Sequence, residues 1–210
     1  MADKDVPQPK ENHPMLIVVM GVCGTGKTTL ATAISKHLGM PYIEGDDLHP
    51  KANIDKMSAG HPLNDADREP WLELIRTTTE HIAVEQETDE AHTSRRGIVV
   101  TCSALKKYYR DILRGTYKPK SLPDHLDPPH PKTLPTYFVF IKGDRELLKD
   151  RMEKRKGHYM KVGMLDSQLR DLESPEGEDG AVVVHAEDST EKQLADALEG
   201  LGRLAGPLET

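Results

Sequence analysis

Met15-Leu16-Ile17-Val18-Val19-Met20 runs directly into Gly21-Val22-Cys23-Gly24-Thr25-Gly26-Lys27-Thr28, and residues 30–38 follow with helical spacing. The first six residues are continuously apolar and rich in β-formers, the pattern of a strand buried on both faces. The next eight satisfy G-x-x-x-x-G-K-[ST] in full and stand between a strand and a helix, the context this motif requires. Its glycines let backbone N–H groups turn inward around a phosphate chain. The helix that starts near Lys27 adds the positive end of its dipole. Gly21, Gly24, Thr25, Gly26, Lys27, Thr28 and Thr29 are therefore expected to hold the phosphates of ATP. Lys27 would reach the terminal ones, and the Thr28 hydroxyl would help to hold Mg2+.

Outward from this loop, short apolar runs alternate with helical patterns. Gly39 and Pro41 supply stop signals for the first helix. Further strands are predicted at 42–44, 98–102, 137–141 and 181–185. Helices are predicted at 50–57, from a cap at Asp65 or Asp67 through Trp71, Leu74, Ile75 and Ile82 toward Glu87, at 104–113, 145–155, 164–172 and 190–204. This alternation is that of an α/β protein, a five-stranded parallel sheet with helices on both faces. Right-handed crossovers then bring the C-terminal ends of all strands to one edge, where ligands bind. The length of 210 residues fits one domain over 15–205, with residues 1–14 a flexible lead-in. Residues 117–135 hold six prolines and two histidines and read as an irregular surface loop.

The formal net charge of −7 argues against general nucleic-acid binding, where a basic surface supplies most of the affinity. Residues 142–161 are a local basic island, suited to a small anionic ligand. Two cysteines, Cys23 and Cys102, form neither a disulfide framework nor a metal-ligand cluster. The first fourteen residues are charged and proline-rich, unlike a signal peptide, and no apolar run reaches the roughly 20 residues of a membrane span. The expected setting is the cytosol, without membrane or nucleic-acid partners.

Three further clusters fall where predicted strands end. Glu44-Gly45-Asp46-Asp47-Leu48-His49 follows the second strand. One carboxylate there could order the Mg2+ shell through water, a role given to Glu44. Another could accept the proton of an attacking hydroxyl. Asp46 is favoured for that role, because strand alternation aims Glu44 and Asp46 to the same side. In the segment 101–110, Ser103 could cap a helix that presents Lys106 and Arg110 on one face, two cations suited to a carboxylate. In the segment 151–159, a basic helix end and a glycine-containing turn read as a lid over about 151–163. Closure of that lid would bring Arg151 or Arg155 onto the transferring phosphoryl group. His49 and His158 are candidates for hydrogen bonds to substrate hydroxyls or phosphate. From these residues alone a kinase for another small anion, or a nucleotide-dependent switch without turnover, remains open.

The sequence resembles the small P-loop gluconokinases, relatives of shikimate kinase. The resemblance rests on Gly21-Val22-Cys23-Gly24-Thr25-Gly26-Lys27-Thr28-Thr29 and on the run from Glu44-Gly45-Asp46-Asp47-Leu48-His49 to Met57. It continues through Gly60-His61-Pro62-Leu63-Asn64-Asp65-Ala66-Asp67-Arg68-Glu69-Pro70-Trp71, Cys102-Ser103-Ala104-Leu105-Lys106-Lys107-Tyr108-Tyr109-Arg110-Asp111 and Arg155-Lys156-Gly157-His158. These blocks span most of 15–173, and the middle ones are the specific part. The resemblance implies transfer from ATP to the 6-hydroxyl of gluconate, giving 6-phosphogluconate for the pentose phosphate pathway, with Mg2+ and a homodimer. It further implies that Asp46, His49, Arg68, Lys106 and Arg110 lie around the sugar acid, and that Arg151, Arg155 and His158 belong to the lid. The stretch 117–135 is longer than in the short bacterial members.

Overall fold

The computed structural model describes residues 13–89, 91, 95–119, 134–154 and 162–208. The first strand, β1 (Met15–Met20), is buried along its whole length, as its unbroken apolar sequence requires. It passes through the phosphate loop into α1 (Lys27–Leu38), which ends where Gly39 adopts a left-handed φ of 65°. Then come β2 (Tyr42–Glu44), a single 3-10 turn over Gly45–Leu48, α2 (Lys51–Ser58), α3 (Asp65–Thr88), β3 (Gly97–Thr101) and α4 (Lys107–Arg114). The chain continues with β4 (Thr136–Lys142), α5 (Arg145–Lys154), α6 (Val162–Asp171), β5 (Ala181–His185) and α7 (Thr190–Ala205).

All pairings are parallel and the strand order is β2-β3-β1-β4-β5. The chain builds out to one side of β1 through α1 and returns through α3 and α4. Right-handed crossovers therefore put α1 on one face and α3 and α4 on the other. The contacts agree, since α1 packs on α7 and α3 on α4. The core is continuous across both faces, from Leu30, Ile34 and Leu201 to Leu72, Ile75 and Ile112. Because β1 has β3 on one side and β4 on the other, the build-out reverses at its C-terminal end, the switch point where open sheets bind ligands.

Three local expectations are corrected. The cap of α3 is Asn64, not Asp65 or Asp67. Its side chain accepts from the Asp67 N–H at 2.9 Å, and Asp67 accepts from the Asn64 N–H at 2.8 Å, a reciprocal capping box. The helix after β3 starts at Lys107, so Ser103 does not cap it. Ala104 sits at φ 44°, in the left-handed region, and a helix cannot run through it. Among its described residues the basic island is largely paired: Lys142 with Glu176, Arg145 with Asp166 and Glu146, and Lys154 with Asp150. Most of 117–135 lies outside the described residues.

Candidate active site

The phosphate loop opens at the C-terminal end of β1. Gly26 takes φ 95° as the residue before α1, with no side chain closing the helix end. A β-carbon disfavours that backbone, and an uncapped helix N-terminus leaves its N–H groups available to an anion. The Thr25 hydroxyl donates to the Val22 carbonyl at 2.9 Å, so its side chain braces the loop from inside. The Lys27 ammonium donates to the same carbonyl at 3.1 Å. Withdrawal from water pushes its pKa down, opposed by Asp46, Cys23, Cys102 and Glu44.

A cleft of about 340 Å³ extends from this loop. Gly24, Gly26, Lys27, Thr28 and Thr29 of the loop line it together with Glu44, Asp46, His49 and Arg68. Glu44 closes β2, which pairs with β3 through Glu44 and Thr101. Its carboxylate accepts from the Thr28 hydroxyl at 2.9 Å, the Tyr42 hydroxyl at 2.6 Å, and the Thr101 hydroxyl. Burial alone would push Glu44 up. The three hydroxyl donors and the Lys27 charge outweigh it, leaving Glu44 below the ordinary carboxylate range. The Tyr42 hydroxyl, half-buried and bound to that carboxylate, is pushed up to about 12.

The turn after β2 is compelled by Gly45. A β-carbon there would collide with the Thr101 carbonyl. The Gly45 carbonyl accepts the Trp71 indole N–H at 2.7 Å, which locks the turn to α3. Asp46 is thus in a 3-10 turn and not in a strand, so strand alternation does not apply to it. It nevertheless shares the cleft with Glu44. Although 70% of its side chain is open to the cleft, the surrounding walls thin the water around it and push its pKa up. Lys27 opposes that shift, while Glu44 and Asp47 reinforce it.

His49 lies flat on Trp71, ring centroids 4.0 Å apart and planes inclined by 18°. Asn53 Nδ2 donates to the Asp67 carbonyl at 2.8 Å, which identifies that atom as the amide nitrogen. It also lies 3.3 Å from His49 Nδ1. Nδ1 is therefore the acceptor and the ring proton sits on Nε2, 3.9 Å from Asp46 Oδ1. Burial, with the Arg68 charge assisting, pushes His49 down to about 4, so the ring is neutral at pH 7.

Not every expected residue reaches the cleft. Arg110 is fully buried. It donates to both Glu178 oxygens at 3.0 and 2.5 Å, and its Nη1 donates to the Ala104 and Leu105 carbonyls. It holds the turn after β3 and is not a substrate cation. Lys106 is gripped by both Asp65 oxygens at 2.7 and 2.9 Å, outside the cleft lining. Asp65 also accepts from the Tyr109 hydroxyl, and Tyr109 OH lies 3.3 Å from Arg68 Nη1. The pair backs Arg68, and Arg68 faces the cleft. Arg151 donates to the Ala186 carbonyl at 2.6 Å, at the end of β5. Arg155, His158 and most of the expected lid lie outside the described residues.

Sequence reasoning missed Tyr42, Thr101, Asn53, Trp71 as a ring platform, Ser103 as a cleft residue, and Gln168. The alternation of β2, which puts Tyr42 on the face of Glu44, was an available signal for one of them. Gln168 had none. It lies 145 positions from the loop residue it touches.

An AAA domain family model matches residues 17–173. The gluconokinase of Gluconobacter oxydans is 44% identical over 170 residues, 81% of each chain. The crystal structure of a gluconokinase from Sinorhizobium meliloti superposes with a TM-score of 0.67 at 41% identity, covering 92% of this chain and 94% of that one. The APS kinase of Mycobacterium tuberculosis, solved with AMPPNP and APS, shares the fold at 14% identity and a TM-score of 0.58. A phosphate loop on a five-stranded parallel sheet, with 41–44% identity to gluconokinases over most of the chain, places this chain in the gluconokinase family of P-loop kinases.

Proposed function

We propose that the protein transfers the terminal phosphoryl group of ATP to the 6-hydroxyl of D-gluconate, giving 6-phosphogluconate and ADP. The observation that carries this reading is the order of charges along one cleft. Lys27 stands at the phosphate end and interacts with Asp46. Asp46 lies 3.9 Å from His49, and His49 in turn feels the charge of Arg68, which lines the same cleft. A molecule with a hydroxyl at one end and a carboxylate at the other fits that sequence of groups.

The chemistry is positioning and charge stabilisation, since the transition state of phosphoryl transfer is loose. The gluconate hydroxyl oxygen bonds to the terminal phosphorus as the bond to the ADP oxygen breaks, and the hydroxyl proton passes to Asp46. Its raised pKa makes Asp46 a better proton acceptor than an ordinary aspartate. Lys27 offsets charge on the phosphoryl oxygens. His49 offers its Nε2 proton to a sugar hydroxyl. Arg68 takes the carboxylate, the role expected of Lys106 and Arg110 before the fold showed both committed elsewhere.

The Thr28 hydroxyl and the ionised Glu44 carboxylate suit Mg2+, an ion that keeps several waters and needs few protein ligands. When bound there it neutralises charge on the phosphate oxygens. Arg155 and His158 are assigned to the phosphoryl group on the family pattern alone. That pattern also supports one kinase domain over 15–205, working as a cytosolic homodimer, which sedimentation and cell fractionation test. The defining experiment is coupled ADP release with Mg-ATP against gluconate, shikimate, glucose and AMP. Stimulation by gluconate alone is expected. Stimulation by another acceptor discards the substrate, and no stimulation by any acceptor discards the enzyme.

A further inference from the structure

One contact in the cleft has no place in the chemistry above. Gln168, on α6, lines the cleft beside Met164 and Ser167. Its Oε1 accepts the Cys23 backbone N–H at 2.6 Å. A backbone N–H can only donate, so this bond identifies the carboxamide oxygen and leaves the NH2 group on the other branch of the amide. That NH2 group has no hydrogen-bond partner among the described residues.

The position on the loop is telling. Cys23 follows Val22, whose carbonyl holds the Lys27 ammonium. The oriented amide and the lysine therefore belong to the same stretch of the phosphate loop, where the terminal phosphates are received. A donor that is held in place before substrate arrives needs no reorganisation at the moment of transfer.

We propose that Gln168, anchored through its oxygen to the Cys23 N–H, donates its carboxamide N–H to an oxygen of the transferring phosphoryl group. It is a neutral donor set beside the cations, and it comes from α6 and not from the loop. This assignment rests on the kinase reading above. It also couples α6 to the phosphate loop, because the same side chain touches both the loop and the substrate.

The test compares Gln168→Glu and Gln168→Met, each checked for folding by thermal melting. Steady-state kinetics with gluconate are measured alongside calorimetric affinities for ADP and for AMPPNP. Q168E keeps an acceptor for the Cys23 N–H but loses the donor and adds a negative charge. Loss of a hydrogen bond to a charged oxygen predicts that kcat falls about ten- to hundredfold in both variants. AMPPNP binding should weaken by about tenfold or more while ADP binding stays within about threefold, because only the former carries the terminal group. Wild-type kcat in Q168E would overturn the proposal, since the residue would then serve only to satisfy Cys23. Equal weakening of ADP and AMPPNP would overturn it too. If Q168E does not fold, Q168M decides between the same outcomes. The nucleotide comparison needs no acceptor, so a wrong choice of gluconate would show in the wild-type protein and would leave this result standing.

Discussion

The Thr28 hydroxyl donates to the Glu44 carboxylate at 2.9 Å, joining the first turn of α1 to the end of β2. The hydroxyl proposed to hold Mg2+ is thus oriented by a carboxylate on another strand, itself fixed by Tyr42 and Thr101. Glu44→Gln removes the charge and keeps the shape. The Mg2+ concentration for half-maximal activity is expected to rise about tenfold or more, the usual scale for a partner that orients a metal ligand. A Mg2+ titration at saturating ATP and gluconate checks this, and an unchanged midpoint would remove Glu44 from the metal site.

Asp46 should behave as the group that takes the hydroxyl proton. Asp46→Asn is expected to lower kcat by about 10²–10⁴-fold with little change in KM for either substrate. In the wild-type protein the acid limb of kcat/KM should lie above the ordinary aspartate value, because the cleft walls thin the water around Asp46 and raise its pKa. Activity is lost as pH falls through that raised value, since protonated Asp46 cannot accept. A variant within twofold of wild type would end this assignment.

His49 makes a prediction about stability. Its pKa falls from 6.5 to about 4 on folding, so the unfolded chain binds the extra proton between those values. The neutral ring costs nothing above pH 6.5, and stability declines as pH drops from there toward 4. Between pH 7 and pH 5 this amounts to about 2 kcal/mol from the one residue. Denaturant unfolding at both pH values should show a smaller decline for His49→Gln than for wild type. Equal declines would mean that the ring is protonated in the folded protein.

The two arginines of the acceptor region should part company. Arg68→Met is expected to raise KM for gluconate by about tenfold or more with a small change in stability, as loss of a charged hydrogen bond implies. Arg110→Met takes the donor from the Ala104 and Leu105 carbonyls and leaves Glu178 held by Arg114 alone. It should cost about 2–3 kcal/mol of stability, while the protein that remains folded keeps its KM for gluconate. Melting curves and steady-state kinetics on both variants separate the roles, and the reverse pattern would restore Arg110 to the substrate.

Much of the fold was legible because its signals are local. The strand at 15–20 and the loop after it are contiguous, and eight adjacent residues carry the phosphate-binding geometry in their own backbone preferences. The five strands were legible for the same reason, since full burial in a parallel sheet writes itself as short apolar runs. Errors came at element ends, where one side chain decides. Asn64 outcompeted its aspartate neighbours as a cap, and Arg110 held the 104–105 carbonyls out of a helix.

What the sequence by itself determined was the phosphate loop, the parallel sheet around it and the acidic turn at its edge. Tertiary structure decided which charges were left to meet a substrate. Lys106, Arg110 and Arg68 look alike in sequence, but a cation's role depends on which carboxylate reaches it first. Asp65 arrives at Lys106 from 41 positions away and Glu178 at Arg110 from 68, whereas Arg68, with Asp171 no nearer than 4.0 Å, still lines the cleft. Gln168 meets Cys23 across 145 positions. Such choices are made by the packing of whole helices against the sheet, and no spacing within one segment encodes them.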